Sequence, residues 1–258
     1  MSDNFVELTP QPDNFDPSEI ECLIQEVDNQ PVHLSIVAYG VSGIGKTRFG
    51  ATGSKCLVVN CGEQKPISIR GMGAKVINIR KVPDDLEKVF WYLRNGGHKN
   101  FDTLVIDGVS SMQKMLQRYV VAENCKLNAT KNKILTSQRD YGEVGDYLTT
   151  WIMNFRNLQD VMDVVFLALE RGPDEKNELY RPDVIPSVQR MLESSVNIVG
   201  RMYYKDVVSK GKELTVPSLY VAPHAEYMTK DCTGCLGKEI LQPSIPKILK
   251  KINENYNK

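Results

Sequence analysis

The chain has 258 residues, 41% of them apolar and 25% charged, with 18 glycines and 13 prolines. That composition excludes a wholly disordered chain, a collagen and a disulfide-stapled miniprotein, and no stretch approaches the ~20 apolar residues of a membrane-spanning helix. Its 32 basic and 32 acidic side chains cancel, and the zero taken alone speaks against a nucleic-acid partner.

The charges are not evenly spread. Residues 1–30 hold eight acids and no Lys or Arg, so this segment is −8 and the remainder is +8. With Pro10, Pro12, Pro17 and few apolar residues, it reads as an acidic, flexible N-terminal segment. It either solubilises the body, competes with nucleic acid for a basic face or docks a partner. Residues 31–258 then form the folded domain. No basic stretch followed by an apolar core opens the chain, so no secretory signal is expected. The six cysteines are expected to be free thiols in the cytoplasm. Cys232 and Cys235 form a lone CxxC without the second pair or the histidines that zinc needs.

From Leu34 the sequence alternates short apolar runs with amphipathic stretches. Leu34–Tyr39, Cys56–Val59, Val76–Ile79, Thr103–Ile106 and Val164–Leu169 read as strands. Lys46–Ala51, Asp84–Arg94, Met112–Val121 and the stripe Tyr147, Leu148, Trp151, Ile152, Phe155, Leu158 read as helices. This alternation predicts an α/β fold, a mostly parallel sheet covered by helices on both faces. Met202–Val208 and Leu214–Ala222 flank Ser209–Lys212, which predicts a C-terminal antiparallel hairpin. A helix is expected over Pro243–Asn255.

Gly40-Val41-Ser42-Gly43-Ile44-Gly45-Lys46-Thr47 fits G-x-x-x-x-G-K-[ST] between a strand and a helix, the context of a P-loop. Glycines let successive N–H groups curl toward phosphate oxygens, and the helix beginning at Lys46 aims its positive end at the same anion. Gly40, Ser42, Gly43, Ile44, Gly45, Lys46, Thr47 and Arg48 are the expected nucleotide-binding residues. Lys46 reaches the β- and γ-phosphates and the Thr47 hydroxyl holds Mg²⁺. Phe101–Asp107 is an apolar strand ending in an acid, so Asp107 is the second expected Mg²⁺ ligand. ATP and Mg²⁺ are the expected cofactors, with Lys46 and Asp107 in the catalytic set. Hydrolysis also needs a group to orient or deprotonate water. Gly108, not glutamate, follows Asp107, so the candidates are Glu63, after the second strand, and Glu170, which ends the strand after Asp107.

Together these elements resemble the RecA-like P-loop ATPases, and more narrowly the phage-encoded RecA relatives of the Sak type, which act in single-strand annealing and recombination. The P-loop, Phe101–Asp107, Phe166–Glu170, Val199–Met202 and Thr229–Asp231 carry the likeness, which spans Leu34 to Ile252. The resemblance implies a RecA-like fold and an ATPase in the cytoplasm (the host's, for a phage protein), with no membrane role. It implies an ATP site shared between subunits of a ring or filament, with Lys230 reaching the neighbour's phosphate. It implies single-stranded DNA as partner, with a single-strand-binding protein as a further one. Two departures point to slow or DNA-stimulated turnover: Asn60-Cys61-Gly62-Glu63 displaces the family's acid pattern by one position, and Glu170 stands where RecA carries glutamine. The resemblance puts DNA contacts on two loops. The first, a long mobile segment, holds Lys126, Lys131, Lys133 and Arg139 with no acid between them, then Tyr141; the second holds Arg171, Lys176 and Arg181. Cations neutralise phosphates and the tyrosine stacks on a base. The competing readings are an ATPase that loads or remodels a replication protein such as a helicase, and a nucleotide switch or kinase without DNA.

Overall fold

The computed structural model describes residues 33–62, 65–127, 135–175, 178–209 and 211–256, with isolated positions Asp16, Ser18, Glu21, Leu23 and Ile24 before them. The chain divides into two units, Met1–Val32 and His33–Lys258. The sheet and its helices belong to the second unit.

Its strands are β1 (Ser35–Gly40), β2 (Cys56–Asn60), β3 (Lys75–Asn78), β4 (Thr103–Asp107), β5 (Asp163–Arg171), β6 (Arg181–Pro182), β7 (Ile198–Ser209), β8 (Lys212–Tyr220), β9 (Lys230–Asp231) and β10 (Glu239–Leu241). Its helices are α1 (Lys46–Gly50), α2 (Asp84–Arg94), α3 (Val109–Leu127), α4 (Gln138–Arg156), α5 (Pro186–Ser195) and α6 (Ile245–Tyr256). The main sheet runs β10-β8-β7-β1-β5-β4-β2-β3; β6 pairs with β5 and β9 with β7. From β3 to β7 the strands are parallel. The β7–β8 hairpin and β10 are antiparallel. This is the expected mostly parallel α/β sheet with its C-terminal antiparallel hairpin. That hairpin is longer than the predicted runs because its tip pairs all the way to Ser209 and Lys212.

Burial explains the apolar runs. In β1 all six residues are buried. Alternate side chains serve two cores, as a pleated strand covered on both faces requires. Val37, Tyr39, Leu104, Ile106, Val164 and Phe166 pack under α2, α3, α4 and α5 through Leu86, Leu116, Phe155 and Leu192. Ile36, Ala38, Val105, Val165 and Leu167 pack under α1 and α6 through Phe49, Ile248 and Ile252.

The region between α3 and α4 departs from expectation. Both ends of the long mobile loop predicted there are helix: α3 continues to Leu127 and α4 starts at Gln138, while residues 128–134 lie outside the described residues. Ser137 and Asp140 close a capping box, and Asn124 donates to Asp140 Oδ1 at 2.7 Å and to Glu143 Oε2 at 2.8 Å. Asn124, one of the polar residues that suggest a loop, is thus satisfied at the facing helix ends. Among the described residues, no helix is long and apolar enough to cross a membrane.

Candidate nucleotide site

Parallel register brings four strand ends to one edge. Gly40 lies opposite Leu169, Asp107 opposite Leu167 and Asn60 opposite Asp107. Because β5 lies between β1 and β4, the loop after β1 and the acid ending β4 meet across one strand's width. Ligands of open α/β sheets bind in this position, outside the carboxyl ends of the strands.

The loop is shaped by its glycines. Gly45 has φ +98°, where a β-carbon would clash with its own backbone. At Gly40 an added β-carbon would sit 2.5 Å from the Met202 carbonyl oxygen, so β7 can lie against the loop only because Gly40 lacks one. Since α1 has only five residues, the loop amides more than a long helix dipole form the anion site. Ile44 turns its side chain into the core, 2% exposed, leaving its amide as the group available to a ligand.

Around this loop lies a cavity of about 580 Å³ lined by Ser42, Gly43, Gly45, Lys46, Thr47, Arg48 and Asp107, as the sequence predicts. Gly40 sits behind it. Asn60, Lys65 and Ser111 also line the cavity and were not expected. Asn60 ends β2 level with Asp107, and its Oδ1 accepts from the Gly62 N–H at 3.0 Å. Its only sequence signal is a polar residue closing an apolar run. Arg48 bends across to donate to the Ser68 carbonyl at 3.3 Å.

Lys46 Nζ donates to the Gly40 and Val41 carbonyls, each at 2.8 Å, which holds an ammonium at the mouth of the loop. Burial lowers its pKa to about 8, against the opposing pull of Asp107 and Glu170. The Thr47 hydroxyl donates to Asp107 Oδ2 at 2.8 Å. Burial raises the Asp107 carboxyl above its ordinary value, while the Thr47 hydrogen bond and the Lys46 charge draw it back. A half-buried carboxylate beside a hydroxyl is a hard-oxygen pair. Among the described residues no cluster of three or more His, Cys, Asp or Glu exists that could cage a metal alone. Two protein oxygens with the rest from phosphate and water suit Mg²⁺, which keeps most of its water. Thr47 and Asp107 therefore fit the expected metal, whose chemistry would be to neutralise charge on phosphate oxygens.

Residues 33–233 match the protein family described as AAA domain. The chain belongs to the AAA-domain family. Among solved structures, this AAA-domain chain is similar to the KaiC-like protein of the hyperthermophilic archaeon Pyrococcus horikoshii OT3. The identity is 15% and the TM-score 0.42, over 76% of this chain and 82% of that one. It is also similar to the flagellar accessory protein FlaH of Methanocaldococcus jannaschii, with 11% identity and a TM-score of 0.38, over 82% of this chain and 85% of that one. Among curated proteins nothing matches.

The remaining candidates of this AAA-domain protein are placed as follows. Glu63, Lys131, Lys133 and Lys176 lie outside the described residues. Glu170 ends in a bidentate pair with Arg201, at 2.6 Å and 3.2 Å, and not with Arg171 or Arg181. The Arg201 guanidinium lies 4.3 Å from the ring centroids of both Tyr180 and Tyr227, whose planes are 75° apart, so it fills an aromatic corner. Burial pulls the Arg201 pKa down, but the hydrogen bonds and charge of Glu170 outweigh it. Glu170 is thus held beside the site by a partner the sequence does not suggest. Lys230 Nζ donates to the Glu193 carbonyl at 2.7 Å, at the end of α5, where a cation meets the negative helix terminus.

Of the expected DNA contacts, Arg181 is corrected: it is 4% exposed and pairs with Asp174, and it donates to the Leu179 carbonyl, so it is not a surface cation. Lys126 pairs with Glu123 at 2.5 Å, and Arg139 with Glu143 at 3.0 Å. Both remain on the surface, as does Tyr141, 47% exposed, but Arg139 and Tyr141 stand on α4, not on a loop. Arg171 ends β5 and pairs with Asp183 at 3.5 Å. In the CxxC loop the Asp231 carboxylate accepts from the Thr233 and Leu236 N–H groups, at 2.9 Å and 3.0 Å, and holds the turn.

Proposed function

We propose that this protein binds and hydrolyses ATP with Mg²⁺, binds single-stranded DNA and promotes annealing or recombination in phage replication. The observation that carries the nucleotide half is the convergence of Lys46, the Thr47 hydroxyl and the half-buried Asp107 carboxylate on one cavity at the strand ends. Lys46 exchanges loop carbonyls for phosphate oxygens, and its lowered proton affinity rises again as it meets that negative charge. Glu63, one residue past the cavity-lining Gly62, orients the attacking water, with Glu170 fixed nearby by Arg201. The exposed Lys126, Arg139 and Tyr141 at the facing ends of α3 and α4 support the DNA half. In a ring or filament, Lys230 would leave the end of α5 to reach a neighbour's phosphate.

A second reading, loading or remodelling of a replication protein, is favoured by the hairpin. Tyr204 and Val208, 55% and 74% exposed, stand on the same face of β7 and offer apolar contacts to a protein partner. Annealing of two labelled complementary strands, followed by energy transfer, tests the first reading. Acceleration by wild type with ATP but not by Lys46→Ala supports it. Equal annealing rates with and without the protein remove the DNA half and leave the second reading.

A further inference from the structure

A second cavity, of about 710 Å³, lies away from the P-loop, on the outer face of α3. Three of its walls are cations, Lys114, Arg118 and Lys126, and no acid lines it among the described residues. Lys114, Arg118, Ala122 and Lys126 follow a strict four-residue spacing and are all exposed, so they form one stripe along the helix. The core of α3 is made by Met112, Leu116 and Val120, two residues off this stripe and so about 200° round the helix. The opposite wall is Thr136, just before α4: Gln117 Nε2 donates to Thr136 Oγ1 at 2.7 Å and fixes it against α3.

We infer that this groove binds the phosphate backbone of a single nucleic-acid strand. The inference rests on the proposed DNA-binding reading and extends it from Lys126, already a candidate, along α3 to Lys114 and Arg118, which the loop candidates did not include. At a rise of ~1.5 Å per residue, Lys114 and Arg118 stand about 6 Å apart along the axis, and Arg118 and Lys126 about 12 Å apart. A strand carries a charge every ~3.4 Å in a duplex and spaces its charges wider when stretched, so the stripe matches every one or two phosphates of a stretched strand. Like charges at this spacing weaken a helix, and a bound polyanion reverses that penalty. Ala122, the one uncharged member, leaves depth between the cations. Lys126 already pairs with Glu123, an exposed contact worth little, so a phosphate competes for it readily. Gln117 and Thr136 add neutral polar groups but no negative charge.

The test is fluorescence anisotropy with a labelled oligo-dT at several salt concentrations, on the full chain. The variants are Lys114→Ala/Arg118→Ala and the charge-keeping Lys114→Arg/Arg118→Lys. Each phosphate contact contributes a salt slope of ~0.7 for single strands, so the alanine pair is expected to flatten the slope by about 1.4 while the charge-keeping pair leaves it unchanged. Binding of a fluorescent ATP analogue, unchanged in both, shows the fold intact. If wild type binds oligo-dT and the alanine pair binds it with the same slope, the groove is wrong and the DNA-binding reading stands. If wild type binds no oligo-dT, both fall. Tripolyphosphate or polyglutamate binding to the groove without oligo-dT binding would also overturn the inference, because it would assign the groove to free phosphate or to an acidic peptide.

Discussion

At the scale of single residues, burial sets the chemistry of the site. Lys46 has its pKa lowered to about 8 from 10.5. The folded protein therefore binds fewer protons than the unfolded chain between these values, and stability from this group rises as pH climbs through that window. Below pH 8 the partly buried charge opposes folding. Without nucleotide, Lys46→Met is expected to raise the melting temperature at pH 7 and to flatten its rise between pH 8 and 10; an unchanged profile in thermal melts would contradict the burial argument. The Glu170–Arg201 pair behaves differently, since both side chains are largely buried, 7% and 16% exposed. Removing one partner strands the other's charge, so Arg201→Gln should lose about 3 kcal/mol in denaturant unfolding. The double variant Glu170→Gln/Arg201→Gln should lose less than the two single losses summed. Additivity would show that the pair is not coupled.

Elements differ in how far the sequence reveals them. Asp84–Arg94 is legible to the residue, because its apolar spacing is uninterrupted and Gly96, with φ +99°, stops it. The strands β1, β4 and β5 are legible because burial on both faces leaves charged residues only at or beside their ends. The loop expected before α4 gives way to helix at its C-terminal end for a clear reason. The capping box there uses Asp140, fully buried, in place of the usual glutamate, and its partners Ser137 and Asn124 look like loop residues until Asp140 is seen to bond both. Ser137→Ala should therefore cost about 1 kcal/mol, at the low end if water replaces the hydroxyl, read from the denaturation midpoint. The two-residue strand β6 carries no periodic signal, which is why Arg181 reads as a loop cation in the sequence.

For the whole molecule, the P-loop and its acid are readable because phosphate binding demands a fixed local spacing. The Glu170–Arg201 contact and the α3 groove are not, since they depend on residues that only the fold brings together. Charge is the clearest whole-molecule quantity. The zero net charge divides into −8 over residues 1–30 and +8 over the rest. Deleting residues 1–30 should tighten single-stranded DNA binding severalfold at low salt, with the gain shrinking as salt screens it. Equal affinity would leave the segment a solubilising leader. The central claim, a nucleotide site that works together with DNA, is tested most directly by the rate of ATP hydrolysis with and without single-stranded DNA, in wild type and Lys46→Ala. We expect slow hydrolysis that single-stranded DNA stimulates and that Lys46→Ala abolishes under both conditions. A wild-type rate indifferent to DNA, or a rate that survives Lys46→Ala, would contradict it.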